Sequence, residues 1–200
     1  ATAVELQPWL ERLGETYQRF LELTPPSDPR YLQARLNLAD AHEALQRRAQ
    51  AIPIYREIVA SGEWSNASVA MASLSSIRSR MALLEAQNNL PKNPPLLASD
   101  APREEPALSE LLGWIELHLS KTSEPTPALE FERARILAVL GRRTEALAAL
   151  AGLVRNHPDS KDAATAVALL LDTELYSKDL ASIDSRMKAL SANRALLENI

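Results

Sequence analysis

The sequence contains no cysteine, few glycines and few aromatic residues. The absence of Cys among its 200 residues excludes disulfides, thiolate metal sites and a cysteine nucleophile. Only 5 residues are Gly and 4% are aromatic, so the apolar share of 46% is carried largely by Ala and Leu, which are strong helix formers. No apolar run reaches the roughly 18 residues that predict a membrane-spanning helix. Together these absences favour an all-helical chain without disulfides or a transmembrane segment.

The charge is mildly acidic and evenly mixed. There are 22 basic and 26 acidic residues, which gives a formal net charge of −4. A surface that binds nucleic acid or an anionic membrane is usually strongly basic. We therefore expect no nucleic-acid partner and no direct membrane insertion.

The 13 prolines are clustered and divide the sequence into helical segments. Between them, apolar residues recur at steps of three and four, as they do on one face of a helix. The predicted helices lie near residues 8–23, 31–45, 50–60, 65–87, 106–119, 126–140, 144–156, 160–176, 179–190 and 193–200. Because short turns join most of them, neighbouring helices should pack antiparallel. The sequence thus predicts an all-α fold, an α–α superhelix of nine or ten helices arranged as hairpins.

Five prolines crowd one stretch, residues 91–106. A stretch of this composition is typical of a connecting loop. We therefore predict an N-terminal helical half over 1–90 and a C-terminal helical half over 107–200. Since the chain starts without Met, we also expect a processed or excised piece.

Two windows of the sequence carry small residues where the helices of a hairpin would cross. The first, residues 32–65, has Ala39 and Ala51 at these places, and the second, residues 127–160, has Ala134 and Ala146. Both windows resemble the tetratricopeptide repeat, a helix–turn–helix unit of about 34 residues. The second also has a glycine, at 141, for the turn and a closing proline, at 158, whereas the first lacks both.

The resemblance implies that the first helix of each repeat lines a groove, and that this groove binds a peptide or a helix of another protein. Carried over position by position, the implied partner-binding residues are Gln33, Leu36, Asn37, Asp40, Glu43, Phe131, Glu132, Arg135 and Val139. The version of this groove that captures an acidic peptide tail needs Lys and Asn at set positions. Leu36 and Asp40 stand there instead, so the resemblance does not support such a ligand.

The residues that catalysis or metal binding would need are scattered. His42, His118 and His157 do not occur at the spacing of a zinc site, and no glycine-rich phosphate loop is present. We therefore predict no catalytic, cofactor-binding or metal-binding residues, and we expect the protein not to be an enzyme.

Residues 156–190 carry a second, more particular resemblance. A Pro-Asp-Ser-Lys-Asp-Ala-Ala stretch precedes a helix with Leu-Leu-Asp, and this order resembles envelope-associated tetratricopeptide-type proteins of gliding myxobacteria. That resemblance implies a bacterial scaffold of a motility or secretion machine, either periplasmic or associated with the outer membrane. The alternatives are a structural subunit that assembles with copies of itself and a regulatory domain excised from a larger protein. Trp9, Trp64 and Trp114 could wedge between helices or mark an interface, and the sequence leaves this open.

Overall fold

A computed structural model describes residues 3–92, 101–124 and 126–177, together with 184, 185, 187 and 188. Within this part of the chain the secondary structure is helical and contains no strand, which confirms the predicted class. The helices are α1 (Ala3–Leu23), α2 (Tyr31–Ala44), α3 (Arg48–Ser61), α4 (Ala67–Ala86), α5 (Pro106–Lys121), α6 (Pro127–Val139), α7 (Arg143–Asn156) and α8 (Lys161–Ser177).

The number of described helices is eight, compared with the nine or ten predicted. The predicted helix at 193–200 lies outside the described residues, and so does most of the one at 179–190. A further difference concerns α1, which begins at Ala3 and not near Pro8. Pro8 is therefore inside the helix, just beyond its first turn, where proline lacks the N–H that would otherwise donate to the carbonyl of residue 4.

The chain divides into two compact units, Ala1–Asn89 and Leu90–Ile200. Each contains the same order of described helices. In the first, the α2–α3 hairpin packs against α1 and α4, and in the second the α6–α7 hairpin packs against α5 and α8. In both units the first helix of the hairpin also contacts the helix that follows the hairpin, α4 or α8. The halves and the connecting loop proposed from the sequence, 1–90, 91–106 and 107–200, stay a prediction.

Small side chains lie where the hairpin helices cross in the first unit. Ala39 on α2 and Ala51 on α3 are both fully buried. Their methyl groups let the two backbones approach, and the larger side chains of Tyr55 and Ile58 fill the core beside them. The alanines that mark the repeat in the sequence are therefore packing residues.

The second unit repeats this arrangement. Ala134 on α6 and Ala146 on α7 are buried, as are Leu150 and Leu153 one and two turns further along α7. Trp114 of α5 is also buried, so it is a packing residue of this unit. The same spacing of small and large side chains thus builds the same hairpin twice.

The turn inside each hairpin has a left-handed residue. Gln46 has φ 59° and Gly141 has φ 71°. In the first hairpin Gln46 N donates to Glu43 O at 2.9 Å and Arg47 N donates to His42 O at 2.8 Å. These two bonds are those of a Schellman motif, which satisfies the last carbonyl groups of a helix. The first repeat therefore forms the turn without the glycine that its sequence lacks.

Candidate protein-binding surface

Four of the five predicted partner-binding residues of the first unit form a polar row along α2. Gln33, Asn37 and Asp40 follow one another at helical spacing and are exposed or half-buried, and Glu43 continues the row. Leu36 does not belong to it, because only 1% of its surface is exposed. The expectation that Leu36 lines a groove is therefore corrected: the side chain lies in the hydrophobic core, where an apolar residue is most stable.

The N-terminal part of the row is linked to both flanking helices. Asn37 Nδ2 donates to the Tyr17 hydroxyl of α1 at 2.9 Å, and Gln33 Nε2 donates to Asn37 Oδ1 at 2.8 Å. From α4, Ser68 Oγ donates to Gln33 Oε1 at 3.2 Å. The chain of bonds thus orients two amide side chains that would otherwise rotate freely.

The middle of the row is held by a buried phenol. Tyr55 of α3 is 1% exposed, and its hydroxyl donates to Asp40 Oδ1 at 2.7 Å. Burial raises the pKa of Tyr55, and the hydrogen bond to Asp40 raises it further, so the phenol stays protonated. As a result the hydroxyl always donates, and the Asp40 carboxylate is held in one orientation at the surface.

The C-terminal end of the row is an ion pair. Arg48 Nε lies 3.0 Å from Glu43 Oε1, and Ser79 Oγ of α4 donates to Glu43 Oε2 at 2.6 Å. Both carboxylate oxygens therefore have a partner, one on α3 and one on α4. Charge-assisted bonds of this kind are shorter and stronger than neutral ones.

A cavity of about 470 Å³ opens beside this end of the row, and we call it the α2–α4 groove. It is lined by Asp40, Glu43, Ala44, Gln46, Tyr55, Ser75, Arg78 and Ser79. The residues from α4 were not predicted from the sequence. Ser75, Arg78 and Ser79 recur at steps of three and four, which gives a local signal of a polar helix face. Which side of α4 meets α2, however, depends on the packing of α3 between them.

The predicted residues of the second unit lie on α6. Glu132 Oε2 and Arg135 Nε form an ion pair at 2.6 Å, and Arg135 is only 6% exposed. Phe131 and Val139 are half-buried. The expectation of an open surface at Arg135 is therefore corrected, because its guanidinium is enclosed and paired within its own helix.

The three histidines belong to three different elements, α2, α5 and the C-terminal end of α7. His118 is buried and His42 is half-buried; burial lowers the pKa of both, and the nearby Arg47 lowers that of His42 further. His157 Nε2 lies 3.1 Å from Glu130 Oε1. No three His, Asp or Glu side chains of the described residues converge as metal ligands. None of the described helices is both long enough and apolar enough to span a bilayer.

Comparisons with known proteins agree with this architecture. The tetratricopeptide repeat family model matches residues 33–61 and 128–160, which are the α2–α3 and α6–α7 hairpins. No curated protein matches the chain. Among solved structures, it is similar to nearly identical TPR-like repeats assigned to a kinesin light chain of Podosopora anserina, at 14% identity and a TM-score of 0.56, over 99% of this chain and 94% of that one. A variant of the same protein gives 16% identity and a TM-score of 0.54, over 99% and 93%.

The identity is too low to transfer a ligand, so these similarities show the fold. The family match confirms the repeat resemblance for about a third of the chain. A fold of this type is typical of protein–protein interaction modules. Residues 33–61 and 128–160 thus match the tetratricopeptide repeat within an all-helical, TPR-like fold.

Proposed function

We propose that the protein is a non-catalytic scaffold that binds a segment of another protein in the α2–α4 groove. The observation that carries the proposal is the hydrogen-bonded row on α2. Asp40 and Glu43 line the groove, and Gln33 and Asn37 continue the row beyond it. Each of the four is oriented by a partner on another element or on α2 itself. Side chains that are already ordered lose less conformational entropy when a ligand binds.

The chemistry of the groove favours an extended, polar segment. Its walls offer carboxylates at Asp40 and Glu43, a hydroxyl at Ser75 and the guanidinium of Arg78. Extended peptides present backbone donors and acceptors that such groups can bind. An apolar helix face would find little hydrophobic surface here, because Leu36 of the same helix is buried in the core.

The proposal can be tested with a photo-crosslinking amino acid at position 75 and the purified chain in source lysate. We expect one partner to be crosslinked and the crosslink to be lost in Arg78→Glu. Arg19→Glu is the matched control, because Arg19 is also exposed on the first unit but lies outside the groove. Equal crosslinking in both variants would contradict binding in the α2–α4 groove.

A second candidate function, self-assembly, is favoured by an exposed apolar stripe on α1. Leu6 is 46% exposed, Trp9 70% and Leu13 42%, and their spacing places them on one side of the helix. An exposed tryptophan is an energetically strong contact in many interfaces. If the protein self-assembles through this stripe, light scattering should give a dimer or larger species, and Trp9→Glu should give the 22.0 kDa monomer.

The proposed setting is a bacterial envelope or motility machine. It is supported by the order of residues in 156–190, of which the structure describes α8. Fractionation of the source cells with an antibody against the chain tests it, since a periplasmic scaffold should be released with the periplasmic fraction. Recovery with cytosolic markers alone would remove this setting and leave the scaffold function untouched.

A further inference from the structure

A cavity of the second unit lies on a surface that the sequence did not single out. It has a volume of about 680 Å³ and is bordered by the end of α5, the start of α6 and one face of α7. We call it the α5–α7 groove. Its volume is sufficient for one or two large side chains of a partner, and its sides are provided by two helices that do not pack against each other.

This groove is distinct from the predicted surface of the same unit. Glu130 and Arg133 of α6 line the groove. With about 100° of rotation per residue, they lie on nearly the opposite side of α6 from Glu132 and Val139, which are two of the partner-binding residues that the repeat resemblance implies. A ligand in the α5–α7 groove would therefore leave the predicted face free.

The floor of the groove is made of very small side chains. Ala148, Ala149 and Gly152 of α7 line it, with Leu119 and Leu153 beside them. A Cβ atom at Gly152 would meet nothing within 4 Å. Glycine inside a helix is unfavourable relative to alanine, and no contact in the described structure requires it here. The floor is thus an apolar surface on which a bulky side chain could rest.

The rim of the groove is acidic. Glu124, Glu130 and Glu145 border it, against one guanidinium, that of Arg133. Part of this charge is compensated locally, because Glu130 Oε1 lies 3.1 Å from His157 Nε2 and Glu145 is paired with a neighbouring arginine. Glu124 lies exposed in the turn between α5 and α6. Around a low-dielectric floor, an excess of carboxylates attracts cations.

We propose that the α5–α7 groove is a second docking surface, which binds a basic segment of another protein. One large apolar side chain of that segment rests on the Ala148–Gly152 floor, and its Lys or Arg side chains meet the carboxylates of the rim. The proposal commits to a cationic partner because the lining carries three carboxylates and one guanidinium. It does not depend on the α2–α4 groove, which is in the other unit.

The test is a selection of random 12-residue peptides displayed on phage against the full chain. Peptides eluted by competition should be enriched in Lys and Arg and should contain Trp, Phe or Leu. Synthetic versions are then measured by fluorescence anisotropy. Gly152→Trp fills the floor and should weaken binding at least 10-fold, and Glu124→Lys should weaken it several-fold. Raising the salt from 50 to 300 mM should also weaken binding, since salt screens charges at a surface.

The controls separate loss of binding from loss of folding. Gly113→Trp is a matched variant, because Gly113 is also a helical glycine of this unit with open space around it but lies outside the groove. It should bind the peptides normally, and Arg19→Glu in the other unit should too, because Arg19 is exposed and lines neither groove. Glu124→Lys lies outside the helices, so it tests the rim even if Gly152→Trp fails to fold. The proposal is overturned if the selected peptides carry no cationic bias or bind the Gly152→Trp and Glu124→Lys variants as well as the parent.

Discussion

The turns of the two hairpins allow a reciprocal test of the backbone geometry. Gln46 and Gly141 occupy equivalent positions, and both have a left-handed φ. At Gly141 an added Cβ atom would lie 2.1 Å from the carbonyl oxygen of Ala101, and Arg103 N donates to Leu140 O at 2.9 Å beside it. Glycine is thus required at 141 for two reasons, the left-handed φ and the contact with Ala101. Position 46 has the left-handed φ alone, and the turn accommodates a glutamine there.

The magnitudes follow from these contacts. A left-handed conformation costs a non-glycine residue about 1–2 kcal/mol. Replacing it by glycine recovers this energy but adds about 0.4–1 kcal/mol of unfolded-state entropy. We therefore expect Gln46→Gly to stabilise the first unit by about 0.5–1 kcal/mol. Gly141→Ala should destabilise the second by about 1–4.5 kcal/mol. The clash with Ala101 adds an overpacking cost of about 1–3 kcal/mol to the backbone strain, and the lower unfolded-state entropy of alanine offsets about 0.4–1 kcal/mol.

The measurement is hydrogen exchange by mass spectrometry in increasing urea, which reports the free energy of opening of each hairpin separately. Peptides covering 36–60 should exchange more slowly in Gln46→Gly, and those covering 131–155 faster in Gly141→Ala. The reasoning would be refuted if Gln46→Gly were destabilising, or if Gly141→Ala changed the exchange of the second hairpin by less than about 1 kcal/mol.

Three further predictions concern single side chains. Leu36→Ala should lower the free energy of unfolding by about 2–5 kcal/mol, measured in urea, because Leu36 is a core residue and not a surface contact. His118→Gln should make the urea midpoint less sensitive to pH between 7.5 and 5.5. Burial lowers the pKa of His118 in the folded state, so the unfolded chain binds the proton first and stability is lost as pH falls below about 6.5. Gly14→Ala should raise the thermal midpoint, with a gain of about 0.5–1 kcal/mol, because open space surrounds this helical position.

Most of the fold could be predicted from periodicity and proline positions. The bounds of α3 and α7 were predicted to within about two residues, because apolar spacing and nearby turn residues mark both. The start of α1 was missed, because a proline near the N-terminus of a helix gives the same signal whether it begins the helix or lies slightly inside it.

The surfaces were less predictable than the fold. The repeat resemblance placed four polar residues of α2 on the face that lines the groove, namely Gln33, Asn37, Asp40 and Glu43. It placed Leu36 there as well, although Leu36 is buried. A repeat motif locates a residue along a helix, whereas the exposure of its side chain depends on the neighbouring helices that pack against it. The α4 side chains of the groove, and the whole α5–α7 groove, depend on contacts between helices that periodicity does not specify.

The two repeats share a framework and differ at the pair of positions where a hydrogen bond joins the hairpin helices of the first. Where Tyr55 donates to Asp40 in the first repeat, the equivalent positions hold Leu150 and Arg135 in the second. A buried phenol needs an acceptor, and Asp40 supplies it from the surface, whereas a buried leucine needs none and Arg135 pairs with its own helix instead. The polar groove of the first repeat is therefore coupled to one core residue. The second repeat lacks that coupling, so we expect a segment that binds the α2–α4 groove not to bind the equivalent face of α6.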